Sequence, residues 1–213
     1  RDAGATPFFD ALYADPQRLQ LFLESMTGVS LPSAQALAER LPWSRWQTVV
    51  DCGCAQGGVP VTLAARHPHL KAIGFDLPAV EPIFRAFAAA NEVDDRVDFV
   101  AGSFFTDPLP RADVVVMGHI LHDWNLDEKR MLVRKAYDAL PEGGAFVAYD
   151  AMIDDERRTG VAGLVMSLNM LIETPGGFDY TMADGVGWLR EAGFRDVRAE
   201  PLAGIDTMVV GFK

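Results

Sequence analysis

The sequence predicts an α/β fold, a doubly wound and mostly parallel seven-stranded sheet closed by a C-terminal antiparallel hairpin. Three observations predict it. From Trp46 onward, short runs rich in Val, Ile and Phe alternate with longer runs of helical periodicity. The first short run ends in a turn of small residues, Cys52-Gly53-Cys54-Ala55-Gln56-Gly57-Gly58, that opens a helix. The last two strand-like runs are joined only by Leu202-Ala203-Gly204, too short for a crossover, so they pair antiparallel.

Residues 1–42 read as a helical accessory segment ahead of a 43–213 domain. Pro7 to Tyr13 is short and amphipathic. Pro16 to Met26 places Leu19, Phe22, Leu23 and Met26 at helical spacing, and Ser33 to Leu41 is an Ala-rich second helix ended by Pro42. These residues carry no chemistry of their own, and packing beside the core or capping a pocket is their expected work. Strands follow at about 47–51, 70–75, 97–101, 113–117 and 145–150, with helices at about 58–66, 79–91, 127–140 and 161–173. Pro141-Glu142-Gly143-Gly144 separates a helix from a strand. A helix at 184–192 and strands at about 194–200 and 205–212 complete the chain.

Composition narrows the partners. The 213 residues carry a net charge of -11, which argues against a nucleic-acid phosphate backbone as ligand. No apolar run is long enough for a bilayer, and no signal peptide opens the chain. The two cysteines, Cys52 and Cys54, are separated by one residue. They read as small space-filling thiols of a reducing, cytoplasmic compartment rather than a disulfide or a zinc site.

In open α/β sheets ligands bind beyond the carboxyl ends of the strands, so the residues there are the candidates. The glycine turn lets a ligand approach the backbone, and the helix start behind it favours a negatively charged group. Asp76 ends the next strand at about the 20-residue distance expected of an acid that accepts from ribose hydroxyls. Together they propose a nucleoside ligand. The register Gly53, Ala55, Gly58 is imperfect for a dinucleotide, and the acid Asp51 before the turn fits S-adenosylmethionine better. A structural turn without a ligand is the plainer alternative. The third strand is followed by Gly102, Ser103 and Phe104, the fourth by Gly118, His119, His122 and Asp123, the fifth by Asp150. All are expected at one crevice. His122 suits proton transfer near neutral pH. Asp123 and Asp127 read as helix N-terminal charges, and His67 and His69 as solvated.

The glycine turn resembles motif I of class I methyltransferases, whose topology the strand order and final hairpin also match. His122-Asp123-Trp124 before an acidic helix, Gly102-Ser103-Phe104-Phe105 and Pro175-Gly176-Gly177 resemble the small-molecule O-methyltransferases of the caffeate, acetylserotonin and polyketide type. The resemblance runs from Ala5 to Lys213. It implies S-adenosylmethionine as cofactor, bound by Asp51, Gly53, Asp76, Leu77, Ser103, Phe104 and Gly118. Ser103 stands where the family has an adenine-side Asp, and Gly118 where plant members often have Lys. His122 matches the family's general base, and Asp150 and Asp179 match two Glu positions that hold it, each one methylene shorter here.

The chemistry this implies is simple. The cofactor's methyl is already activated, so the chain must align an acceptor oxygen at about 3 Å and remove its proton. A phenol, pKa about 10, exceeds an ordinary His near 6.5, and a neighbouring carboxylate narrows that gap. The resemblance places the acceptor against Val161 to Thr174. Met166, Asn169, Met170 and Glu173 share one face of that helix, and Trp124, Phe8, Phe9 and Phe178 are expected as aromatic wall. A core stripe is the plainer reading of the Met residues. Two other functions compete. Some relatives methylate carbon of 2-oxo acids with a bound metal, but Thr174 stands where their second His would be, so no metal is expected. The substitutions at Ser103, Gly118, Asp150 and Asp179 also suit a nucleoside-binding module without turnover. The chain begins at Arg1 without Met, so a preceding dimerisation domain is expected in the whole protein, which would be a homodimer acting on an aromatic or polyketide-like small molecule of secondary metabolism.

Overall fold

The computed structural model describes residues 8–213, with side chains from Ala11 onward. Phe8 and Phe9, expected as pocket wall, have side chains outside the described residues. Two helices lead, α1 (Phe8–Tyr13) and α2 (Pro16–Arg40). The sheet domain follows as β1 (Thr48–Cys52), α3 (Gly58–Arg66), β2 (Lys71–Asp76), α4 (Glu81–Ala90), β3 (Val97–Ala101), β4 (Val114–Gly118), α5 (Leu126–Ala139) and β5 (Ala145–Asp150). Then come α6 (Val161–Glu173), α7 (Met182–Ala192), β6 (Arg195–Ala203) and β7 (Asp206–Phe212).

The seven strands lie in the order β3-β2-β1-β4-β5-β7-β6. Strands β1 to β5 are parallel, and β7 runs antiparallel to both β5 and β6. The doubly wound sheet with its antiparallel hairpin is therefore the predicted one. Central strands are apolar on both faces because helices cover both: all six residues of β5 are buried, as are Val114 to Met117 of β4. One apolar cluster packs α2, α3 and α4 on one face, the other α5 and α7 on the opposite face. The chain leaves β1 for β2 on one side, and β4 lies on the other. That reversal opens a crevice at the strands' carboxyl ends.

The N-terminal region departs from expectation. Pro16–Arg40 is one continuous helix, with Pro32 inside it, rather than two. Proline removes one helical hydrogen bond and crowds the carbonyl four residues back, here that of Gly28, at a cost of about 3 kcal/mol. Burial of Leu19, Leu23 and Leu37, each contributing about 1.5–3 kcal/mol, exceeds that cost. Asp15 caps the helix by accepting from the N–H groups of Gln17 and Arg18 at 3.1 and 3.2 Å. His67 and His69 are not simply solvated: their Nε2 atoms sit 2.8 Å from the Ala38 carbonyl and 3.0 Å from the Trp43 carbonyl. Cys52 and Cys54 are buried free thiols. Among the described residues, no helix is long and apolar enough to cross a membrane.

Candidate active site

A cavity of about 430 Å³ occupies the crevice between β1 and β4. Asp51, Gly53, Asp76, Leu77, Ser103, Phe104, Gly118, His122, Trp124, Met166, Asn169, Met170 and Glu173 all line it. The crevice thus gathers residues drawn from the ends of four strands and from α6.

The turn after β1 forms one wall. Gly53 and Gly57 have φ of +76° and +101°, values that side chains disfavour. The Gly53 N–H donates to the Phe75 carbonyl at 2.8 Å, which brings the turn beside β2. Asp76 then accepts from the N–H groups of Ala55 at 3.0 Å and Leu77 at 2.7 Å, and from the Tyr13 hydroxyl at 3.4 Å. Burial pushes its carboxyl up from 3.8 to about 6, the hydrogen bonds moderating the rise. Asp51 is buried beneath the turn, and burial followed by the charge of Asp76 lifts it to about 8. Among the described residues neither acid has a cationic side chain within ion-pair distance. Two buried acids without a cationic partner among the described residues fit a ligand that brings hydroxyls and positive charge.

The second wall carries His122, in a 3-10 turn, Leu121–Asp123, between β4 and α5. Its Nδ1 lies 3.2 Å from Asp179 Oδ1 and 3.7 Å from Asp150 Oδ1. Asp150 and Asp179 do not line the cavity; they stand behind the imidazole, fully buried, and fix its far side. Asp150 is itself held by the Tyr180 hydroxyl at 2.6 Å, and the His122 carbonyl accepts from the Phe178 N–H at 2.8 Å. This leaves Nε2 as the ring nitrogen toward the cavity. Burial pushes the imidazole down, but the Asp150 charge and the Asp179 hydrogen bond outweigh it and raise His122 from 6.5 to about 10.

Three expectations need correction. Of the two readings of Asp123, the crevice one holds and the helix-end charge does not: it is buried, lines the cavity, and its Oδ1 lies 3.8 Å from His122 Nε2. The helix is capped instead by Asn125, whose side chain accepts from Glu128 while Glu128 accepts from the Asn125 N–H. Phe178 is no part of the wall; its ring lies 3.6 Å beneath the buried Lys129 ammonium. The acid Asp150 sits behind the crevice rather than facing it.

Other lining residues are marked in the sequence by helical spacing at most. Phe22, Met26 and Ser30 of α2, one helical turn apart, close the cavity from above, and Tyr13 and Tyr149 join them. Their 3.6-residue spacing was visible but equally fitted plain packing. Gly118 is backed by Tyr149, whose ring would lie 2.1 Å from a Cβ built there, so tyrosine fills the place of a side chain at 118. His119, His122 and Asp150 offer ligand atoms within 4.8 Å of one another. An ion there would have to displace the pairing of His122 with Asp179 and that of His119 with Asp206, at 3.2 Å. Thr174 spends its hydroxyl on the Met170 carbonyl, at 2.9 Å.

Comparison with known proteins decides the family. A model of the O-methyltransferase domain matches residues 1–195. The chain belongs to the O-methyltransferase domain family. This O-methyltransferase domain is 45% identical over 201 residues to the tetracenomycin polyketide synthesis 8-O-methyl transferase TcmO of Streptomyces glaucescens, covering 94% of this chain and 59% of that protein. It is 36% identical to the N,N-dimethyltransferase OxyT of Streptomyces rimosus, over 94% of this chain and 59% of OxyT. A solved structure of PigF with SAH superposes at a TM-score of 0.91 and 26% identity, over 100% of this domain and 64% of that chain. The domain thus spans about three fifths of the length of the relatives it matches. The resemblance drawn from His122-Asp123-Trp124 and the glycine turn pointed to the right family.

Proposed function

We propose that this domain is the catalytic part of an S-adenosylmethionine-dependent O-methyltransferase acting on a hydroxyl of an aromatic, polyketide-like small molecule. One observation carries the reading: His122 presents Nε2 to a cavity whose other end holds the buried acids Asp51 and Asp76 at a glycine turn. The relatives support it, through TcmO by its name and through human N-acetylserotonin methyltransferase solved in complex with SAM.

In this reading Asp76 accepts from the ribose hydroxyls and Leu77, Ser103 and Phe104 flank the adenine. Asp51 and Gly53 face the amino-acid end, and Gly118 lies along the same wall. When bound, the cofactor supplies an electrophilic sulfonium methyl. Against its burial, the charge of Asp150 and the hydrogen bond with Asp179 raise the His122 imidazole to about 10, which makes its neutral form a strong base. That value is close to the ordinary pKa of a phenol, about 10, so a proton moves between the two at little cost. The acceptor hydroxyl passes its proton to Nε2 of neutral His122, and the imidazolium so formed holds the phenolate through Nε2–H. Asp179 and Asp150 keep Nδ1 protonated and the ring in place. Attack forms the new O–CH₃ bond while sulfur keeps the electron pair of the bond that breaks. Trp124, Met166, Asn169, Met170 and Glu173 orient the acceptor. The whole protein is proposed to be a cytoplasmic homodimer; the exposed stripe Val161, Val165, Leu168 and Ile172 on α6 is a surface that suits a partner.

The experiment is single-turnover methyl transfer from labelled cofactor to a panel of hydroxylated naphthalenes and anthraquinones. The O- or N-attachment of the methyl is read by NMR, because OxyT is named an N,N-dimethyltransferase. His122→Ala is expected to lose about 10²–10⁴-fold in rate while binding S-adenosylhomocysteine as wild type does. Full activity in that variant would remove His122 from the mechanism.

A further inference from the structure

The cavity holds a second histidine that the methyl-transfer step does not use. His119 follows β4 with φ of +54°, a left-handed conformation that strains any residue with a side chain. Its N–H donates to the Tyr149 carbonyl at 2.9 Å, which fixes the direction in which the ring leaves the backbone. The ring is buried, lines the cavity, and stands edge-on to Tyr149 at 5.2 Å. Its Nε2 lies 3.2 Å from Asp206 Oδ2, and Ser33 donates its hydroxyl to the same oxygen at 2.6 Å. Burial pushes the Asp206 carboxyl up, yet the contacts of His119 and Ser33 outweigh it and hold it below its ordinary value. Helix α2, strand β7 and the β4 loop thus converge to hold one imidazole.

Nε2 faces Asp206 Oδ2 at 3.2 Å, so Nδ1 of His119 is the ring nitrogen turned away from that acid, and no hydrogen bond from a described residue reaches it. The rings of His119 and His122 are 5.8 Å apart between centres. Two oxygens on neighbouring positions of an aromatic skeleton lie about 2.7 Å apart, one hydrogen-bond length. Each can meet one of the two imidazoles.

We infer that Nδ1 of His119, its ring oriented by Asp206, accepts from a second hydroxyl of the acceptor next to the one that is methylated, so that the acceptor class is an aromatic hydroxyl flanked by another hydroxyl. The inference rests on the methyltransferase reading and sharpens it. Asp206 and Ser33 are positioning residues that act through His119.

The test compares 2,3-dihydroxynaphthalene with 2,6-dihydroxynaphthalene, isomers with the same groups at adjacent and at distant positions. Each is titrated by tryptophan fluorescence into protein loaded with S-adenosylhomocysteine. Wild type is expected to bind the 2,3 isomer about tenfold tighter, the worth of one hydrogen bond. His119→Ala is expected to erase the preference while leaving the 2,6 isomer within twofold, and His119→Asn, whose amide stands near the place of Nδ1, to restore part of it. A preference that survives in His119→Ala overturns the inference. So does equal weakening of both isomers, which would mark His119 as structural, or failure of wild type to bind or to discriminate. Failure of wild type to bind S-adenosylhomocysteine at all would instead bring down the methyltransferase reading beneath it.

Discussion

Replacing Asp76 tests the cofactor site most directly. The carboxylate is 8% exposed and already accepts from Ala55 N–H at 3.0 Å and Leu77 N–H at 2.7 Å. A ribose diol adds two hydrogen bonds to it. Hydrogen bonds to a charged group contribute about 1.5–3 kcal/mol each. Losing both costs about 3–6 kcal/mol, which raises Kd for S-adenosylhomocysteine by roughly 10²–10⁴. Asp76→Asn keeps the shape and one acceptor oxygen, so it belongs at the lower end; Asp76→Ala also leaves the Ala55 and Leu77 N–H donors without their acceptor and belongs at the upper end. The pH dependence has a definite sign. The carboxyl titrates at about 6 in the free protein, and only its ionised form accepts from both hydroxyls. Protons therefore compete with the ligand below pH 6, and affinity falls as pH drops through that value. Asp76→Asn loses one proton from that slope. The assay is calorimetric titration at several pH values between 5 and 7.5, with circular dichroism to show that each variant is folded. A folded Asp76→Asn that binds as tightly as wild type, with an unchanged pH slope, would refute the reasoning.

Three further outcomes follow from the same geometry. Asp179→Asn removes the charge 3.2 Å from His122 Nδ1; kcat should fall about 10–100-fold, a part of what a positioned base supplies, with S-adenosylhomocysteine affinity unchanged, and a change in affinity alone would contradict the assigned role. Asp51 is raised from 3.8 to about 8, so the folded state holds its proton and the ligand-free protein loses stability as pH rises from about 4 to 8. Asp51→Asn escapes that loss and should unfold at higher urea than wild type at pH 8 by at least ~1 kcal/mol, with the gain gone at pH 4. Gly118→Ala drives a methyl to 2.1 Å from the Tyr149 ring; overpacking of this kind costs about 1–3 kcal/mol, or roughly 2–4 °C of Tm per kcal/mol at this size, and an unshifted Tm would mean that Tyr149 swings away freely.

The parts of the site that could be read from the sequence are those whose signal is local. Cys52 to Gly58 announces a strand, a tight turn and a helix start within one stretch, and Asp76 lies one strand further on. Asp150 is marked in the sequence by closing β5, whereas Asp179 is marked only by the family resemblance; both lie within 3.7 Å of Nδ1 of His122. The misreadings share one cause, that tertiary context decides between equal local options. Asp123 sits two residues before the real cap, Asn125, and is drawn into the crevice instead. Gly28 and Pro32 look like a break, yet burial along α2 carries the helix through them. Phe178 is aromatic and adjacent to a matched motif, yet it turns toward Lys129.

The pairing of His119 with Asp206 shows a more general blind spot. The rule that site residues lie just past the carboxyl end of each strand follows from parallel strands all pointing at one crevice. Strand β7 runs the other way, inserted between β5 and β6, and its residue Thr207 pairs with Asp150 at the carboxyl end of β5. Its first residue, not its last, therefore lies at the crevice. Asp206 opens that strand and stands 3.2 Å from an imidazole that closes β4. For a mixed sheet the rule has to be restated: site residues follow the parallel strands and precede the antiparallel one that is inserted among them. The hairpin at Leu202-Ala203-Gly204 already showed that β7 is antiparallel to β6. With β7 placed beside β5, the same hairpin directs attention to the residue that begins β7, and that residue is an aspartate.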